Sequence, residues 1–332
     1  MLAFAMRDLT HVFAAAQAGD VTAKGRLLSV IERGGAQANA ASEFAAQHAG
    51  SAYTIGVTGA PGAGKSTLTS ALIGQIRRLG DEVAVLAIDP SSPFSGGAIL
   101  GDRIRMQDHA NDGGVFIRSM ATRGHAGGLS LATPAAIRVL DAIGYRWILV
   151  ETVGVGQVEV EIAGNADSTI VVVNPGWGDI VQASKAGLME VADIFCINKA
   201  DRPGVAETLR DLRQMLALSP GPPDPTAHWR PPIISTVGHT GEGVAQLWDA
   251  AMAHREFGTS TGTLDRRRRE RISNELREII ARRLEQRARE LITGAQWAEL
   301  TGQALTGQIS PVAAAEAILA PVLRSLPPSP MP

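Results

Sequence analysis

The chain has 332 residues, 45% of them apolar, and a formal net charge of −2 from 31 basic and 33 acidic side chains. That length suits one large α/β domain with helical additions, or two domains. The charge balance argues against a general nucleic-acid or anionic-membrane binder.

The one cysteine, Cys196, excludes an internal disulfide and suits a reducing cytoplasm. No apolar run reaches the roughly 18 residues of a spanning helix. Arg7, Asp8 and Asp20 break up the first twenty residues, which lack the ordered regions of a signal peptide and read as mature protein.

Residues 1–50 are rich in alanine, with Phe13, Leu27, Leu28, Val30 and Ile31 at helical spacing, and predict a helical extension. From residue 53, short β-branched runs at 53–57, 83–88, 115–117, 147–150, 169–173, 194–197 and 233–235 predict strands. Helical patterns at 66–79, 133–143, 180–190, 204–216 and 243–254 separate most of them. This alternation predicts a mostly parallel sheet covered on both faces. The proline-rich stretch 219–232 reads as a surface loop, and GTSTGT, 258–263, as a linker. Beyond it, Leu264, Ile272, Leu276, Ile279, Ile280, Leu284, Leu291 and Ile292 form the apolar stripe of a long amphipathic helix that needs a partner surface. The arginine run 266–269 is followed by glutamates and reads as a solvated helix face.

The first strand leads into GAPGAGKST, made of Gly59, Ala60, Pro61, Gly62, Ala63, Gly64, Lys65, Ser66 and Thr67, and then into a helix. This is the phosphate-loop pattern. Small residues let backbone N–H groups encircle phosphate oxygens, and the helix N-terminus adds positive partial charge. Lys65 can reach the β- and γ-phosphates, and the Ser66 hydroxyl can ligate magnesium. Asp89 ends the second strand; Asp102 follows a Gly-Gly loop. Either can lie near the metal or simply cap a turn. The stretch 118–130, with two arginines and three glycines, is a crossover or a contact loop.

Glu151 ends a central strand, where open parallel sheets bind ligands, and its carboxylate can hold magnesium through water. The following ETVGVGQVEVE, 151–161, reads as a phosphate-sensing switch. Its Gln157 is a candidate to orient the attacking water, although small GTPases place a glutamine two residues earlier, at Val155 here. NKAD, 198–201, has the order of a guanine-recognition sequence. Asp201 can accept from N1–H and the exocyclic amine of guanine, Asn198 can brace the loop, and the Lys199 stem can cover the base. Val237, Gly238 and His239 follow the last strand, where backbone N–H groups can complete the base pocket.

GAPGAGKST, DPSSPFSGGAILGDRIRM, RSMATRGHAGGL, ETVGVGQVE and NKAD together resemble the blocks of the MeaB/ArgK-type GTPases, relatives of the human methylmalonic aciduria type A protein, in that family's order. The resemblance implies a P-loop domain over 51–258, an N-terminal helical extension over 1–50 and a C-terminal helical dimerisation region over 259–332. It implies GTP and magnesium as ligands; with Val155 where small GTPases carry the glutamine, unaided hydrolysis is expected to be slow. It also implies a homodimer that escorts an adenosylcobalamin-dependent acyl-CoA mutase, gating cofactor loading and protecting or reactivating the mutase. Residues 174–187 would couple partner binding to hydrolysis. The base-pocket loop departs from the family, which often has Ser-Ala where this chain has Val237-Gly238. The alternative is a nickel-delivery GTPase of hydrogenase or urease maturation, which needs Cys and His ligands that this chain scatters.

Overall fold

The computed structural model describes residues 2–90, 107–109, 111–122, 132–152, 164–176, 191–218 and 228–324. Seven strands form one sheet: β1 (Tyr53–Gly59), β2 (Val83–Pro90), β3 (Val115–Thr122), β4 (Trp147–Thr152), β5 (Ser168–Val173), β6 (Ile194–Ile197) and β7 (Ile233–Ser235). The order is β3-β2-β4-β1-β5-β6-β7, and every pairing is parallel. Ten helices lie among the described residues: α1 (Leu2–Gln17), α2 (Val21–Arg33), α3 (Gly35–His48), α4 (Lys65–Arg78), α5 (Ala132–Ile143), α6 (Val205–Leu218), α7 (Val244–Ser260), α8 (Thr263–Leu291), α9 (Gly294–Leu305) and α10 (Pro311–Arg324).

A parallel sheet needs both faces covered. Successive residues of β2 divide accordingly: Val83 and Val85 join a core with Leu68, Leu72 and Ile73 of α4 and Leu247 of α7, whereas Ala84, Leu86 and Ile88 join a core with α1–α3 and α5. The N-terminal helices therefore cover one sheet face, burying Phe13, Leu27 and Leu28 completely. Asp20 caps α2, accepting from the N–H groups of Thr22 and Ala23 at 2.7 and 3.1 Å. All seven predicted strands are present. β3 runs on to Thr122 because β2 offers it a partner as far as Pro90. The predicted helix 180–190 lies outside the described residues.

Two expectations are corrected. GTSTGT is not a linker: Gly258 to Ser260 finish α7, and only the turn at Thr261 and Gly262 separates it from α8. A side chain at Gly258 would press on the Leu264 Cβ at 3.2 Å, so glycine here permits close helix contact. The arginine run is not a uniformly solvated face either. Arg267 grips Asp193 with both terminal guanidinium nitrogens, at 2.8 and 2.9 Å. Arg268 and Arg271 reach Asp167 at 2.7 and 2.9 Å. Both carboxylates also take the N–H of a neighbouring strand, Thr54 for Asp167 and Thr169 for Asp193. The start of α8 is thus fixed to the N-terminal edge of β1, β5 and β6. The first compact unit runs to Arg271, beyond residue 258.

The second unit, 272–332, is helical in its described part. Thr293 and Gln296 form a reciprocal capping box at the start of α9. Ile272, Leu276, Ile280 and Leu284 follow one another at intervals of four along α8, and all are exposed.

Candidate nucleotide site

The C-terminal ends of β1, β4, β5, β6 and β7 lie along one edge of the sheet. Val57 of β1 is level with Glu151 of β4, which brings the phosphate loop beside that carboxylate. Gly59 has φ 135°, and a Cβ there would stand 2.0 Å from the Val172 carbonyl oxygen. Only glycine turns the chain out of β1 at this point. Gly64, at φ 90°, precedes α4, and a Cβ on it would lie 2.5 Å from the Asn198 amide nitrogen.

Lys65 is buried, and its ammonium donates to the Gly59 carbonyl at 2.6 Å and the Ala60 carbonyl at 3.1 Å. The Ser66 hydroxyl donates to Glu151 Oε1 at 2.6 Å. Glu151 is completely buried. A hydroxyl and a carboxylate that meet at the head of a phosphate loop are hard oxygen donors, the chemistry that magnesium takes. Asp89 lies in β2, one register position beyond Ile88, which pairs with Thr152, so its backbone shares this edge. Asp102 and Gln157 lie outside the described residues, as do Gly154, Val155, 123–131 and 177–190.

The base-recognition stretch is tied directly to the phosphate loop. Asn198 is buried, and its amide donates to the carbonyls of Ala63 and Gly64 at 2.9 and 3.3 Å. Its oxygen accepts the Gly238 N–H at 3.0 Å. Lys199 has φ 59°, uncommon for a residue with a side chain, and its ammonium donates to the Gly62 carbonyl at 2.6 Å. Three sequence segments, 62–64, 198–199 and 238, are thereby drawn into one cluster. Asp201 and His239 are exposed beside it. The exposed Asp201 carboxylate is available to a base, whereas Val237 is buried and its N–H is already bonded to the Glu242 carbonyl at 3.0 Å.

A sequence profile of the methylmalonyl-CoA mutase-associated GTPase MeaB matches residues 25–292. The chain belongs to the MeaB family. Among MeaB relatives, a provisionally named GTPase of Pyrococcus horikoshii is 45% identical over 314 residues, 95% of this chain and 98% of its own. The GTPase ArgK of Escherichia coli is 38% identical over 234 residues, 70% of each chain. A solved structure of an LAO/AO transport system kinase superposes with a TM-score of 0.70 at 24% identity, covering 96% of this chain and 98% of that one, which shows the shared fold.

Arg118, in the stretch left open between crossover and contact loop, is occupied structurally. It is ion-paired with Glu32 of α2 and donates to the Ser29 hydroxyl at 3.1 Å. Sequence reading also missed a buried polar chain at the opposite edge of the sheet. Tyr53 and Ser168 hydroxyls lie 2.6 Å apart, Ser168 meets His254 Nδ1 at 2.6 Å, and His254 Nε2 meets Asp193 at 3.2 Å. Serine, histidine and aspartate in this order have the reach of a hydrolase triad. Ser168 is 0% exposed, and His254 and Asp193 are 4% exposed, so no substrate reaches them. These buried hydrogen bonds hold the starts of β1, β5 and β6 to α7. The signal in the sequence was an aspartate immediately before each of β5 and β6.

Proposed function

We propose that the protein is a GTP-hydrolysing switch that escorts an adenosylcobalamin-dependent acyl-CoA mutase, gating cofactor loading and protecting or reactivating the mutase. The observation that carries the nucleotide reading is the Asn198 side chain, which bonds the phosphate loop on one side and the Gly238 loop on the other. A nucleotide lying across this cluster would meet loop N–H groups at its phosphates and Asp201 at its base. Asp201 selects guanine, because guanine offers two donors on that edge and adenine does not. Lys65 exchanges its loop carbonyls for phosphate oxygens and stabilises charge that develops during transfer. Ser66 and Glu151 would hold magnesium, with Asp89 and Asp102 near it. Bound magnesium would supply neutralisation of phosphate charge. Gln157 is the proposed water-orienting side chain.

Family membership supports a mutase as client, as does the mouse relative named as a methylmalonic aciduria type A homolog, 34% identical over 216 residues, 65% of this chain and 52% of its own. The nickel-delivery alternative gains nothing from Cys196. That thiol is completely buried, and burial pushes its pKa up to about 12 despite a hydrogen bond with Thr236. The homodimer is proposed through the exposed stripe of α8, and the cytoplasm as its compartment fits a single reduced thiol.

The test is steady-state GTP turnover with and without a cobalamin-dependent acyl-CoA mutase of the same organism. Stimulation of tenfold or more, which needs only about 1.4 kcal/mol of barrier lowering, is expected. No stimulation and no complex in any nucleotide state would remove the escort role while leaving the GTPase intact.

A further inference from the structure

Behind the Asn198 amide lie two buried side chains, Thr236 and Cys196. The Thr236 hydroxyl is 3.2 Å from Asn198 Oδ1 and 3.1 Å from Cys196 Sγ. Cys196, Thr236 and Asn198 are 0%, 1% and 2% exposed. The hydrogens can be assigned by elimination. Asn198 Oδ1 only accepts, so the single Thr236 hydroxyl proton points to it. Cys196 must then donate its thiol proton to Thr236 Oγ1. The direction is continuous: thiol to hydroxyl, hydroxyl to amide oxygen, amide nitrogen to the carbonyls of Ala63 and Gly64.

An asparagine amide can be turned end for end at little cost in shape, because its oxygen and nitrogen have similar size. Turned, it would set oxygen against the Ala63 and Gly64 carbonyls and nitrogen against the Gly238 N–H. The Gly238 N–H aimed at Oδ1 and the two carbonyls facing the amide nitrogen exclude that arrangement, and with the orientation so fixed the Thr236 hydroxyl gives Oδ1 a second donor. The amide also has glycine on either side. A Cβ would come within 2.5 Å of it at Gly64 and 3.2 Å at Gly238.

We infer that Thr236, supported by Cys196, is a positioning residue that fixes the Asn198 amide and thereby holds the phosphate loop in its anion-receiving shape. The inference rests on the nucleotide reading above and extends it. Thr236 acts on the phosphate end of the site, so its loss weakens all guanine and hypoxanthine nucleotides alike. Asp201 alone sets the preference between them.

Thr236→Val keeps the shape and removes the hydroxyl. In the full-length, nucleotide-free protein, hydrogen–deuterium exchange over residues 59–67 should speed up about tenfold, with exchange in β1 unchanged. GDP and inosine diphosphate affinities should both fall about tenfold, with their ratio preserved. Thr236→Ser should restore both readouts, and Cys196→Val should move them about threefold in the same direction. If Thr236→Val does not fold, Thr236→Ala reads the same bond. Wild-type exchange over 59–67 in the hydroxyl-free variant, or a changed GDP to inosine diphosphate ratio, would overturn the role of Thr236. A wild-type protein that binds no GDP, with the exchange result as expected, would defeat the nucleotide reading and leave the positioning chain standing.

Discussion

The Lys65 ammonium sits 2.6 Å from the Gly59 carbonyl oxygen, so the phosphate loop is closed by the side chain that it is built to offer. The bond keeps the loop folded around the place where a phosphate would lie. Lys65→Ala removes it together with the bond to Ala60, each worth about 1 kcal/mol net. The loss in hydrolysis is much larger, because the charge acts on the transition state. We expect single-turnover GTP hydrolysis to fall by roughly 10²–10³, with a circular-dichroism melt that still shows a cooperative transition. Near-normal hydrolysis in the folded variant would refute the assignment.

Glu151 and Ser66 make the second prediction. Glu151→Gln preserves size and an acceptor for the Ser66 hydroxyl, now 2.6 Å from Oε1, while removing the negative charge. The magnesium concentration giving half-maximal turnover should rise by about tenfold or more, equivalent to 1.4 kcal/mol. GDP binding in the absence of magnesium should change little. Titration of turnover against magnesium measures it, and an unchanged midpoint removes Glu151 from the metal site.

The third concerns pH. Burial holds the His254 imidazole below its ordinary range; Asp193 pulls it back up, and Arg267 opposes that. The native state therefore keeps His254 neutral at a pH where the unfolded chain already binds a proton. Below about pH 6.5, the usual histidine value, unfolding takes up a proton, and stability falls as pH falls until the folded pKa is reached. The slope from this group is at most about 1.4 kcal/mol per pH unit. Asp167 behaves in the same sense at lower pH. Burial pushes its carboxyl up, but Arg268, Arg271 and the Thr54 N–H hold it below the usual range. Urea unfolding between pH 7.5 and 5 should show this loss in the wild type, and His254→Gln should flatten it. A parallel pair of curves would show that His254 does not contribute.

The fourth tests the α8 stripe. Ile280 is 57% exposed and Leu276 55%. Residues four apart on a helix form a ridge that another helix can receive. Ile280→Glu should convert a dimer to monomer in sedimentation velocity and leave the melting of the nucleotide-binding unit within experimental scatter. A wild-type monomer, or a dimer indifferent to Ile280→Glu, would place any self-association elsewhere.

The strands were legible because parallel strands buried on both faces must be apolar throughout, as in Ile194 to Ile197. The turn from β1 into α4 at Gly59, Gly64, Lys65 and Ser66 was legible because the phosphate-loop pattern restricts residue types at fixed spacing. What escaped was contact between segments distant in sequence. Asn198 meeting Gly64, and Thr236 standing behind it, depend on β6 lying beside β5 and β7. Nothing in NKAD encodes that order. Arg267 and Arg268 escaped for another reason. A run of arginine looks the same whether it faces water or two buried carboxylates, and the aspartates lie 74 and 101 positions away.

That pairing has a consequence for modularity. The last of the residues proposed to contact a nucleotide is His239, yet the compact unit that carries them runs on to Arg271. A chain ended at residue 258 would leave Asp193 with only His254 and the Thr169 N–H, and Asp167 with no arginine partner. An uncompensated buried charge of this kind costs about 3–5 kcal/mol, a large share of a domain's stability. The segment that opens α8 therefore belongs to the GTPase in a thermodynamic sense, and exchanging the C-terminal helices between relatives would preserve the fold only when the join falls after Arg271.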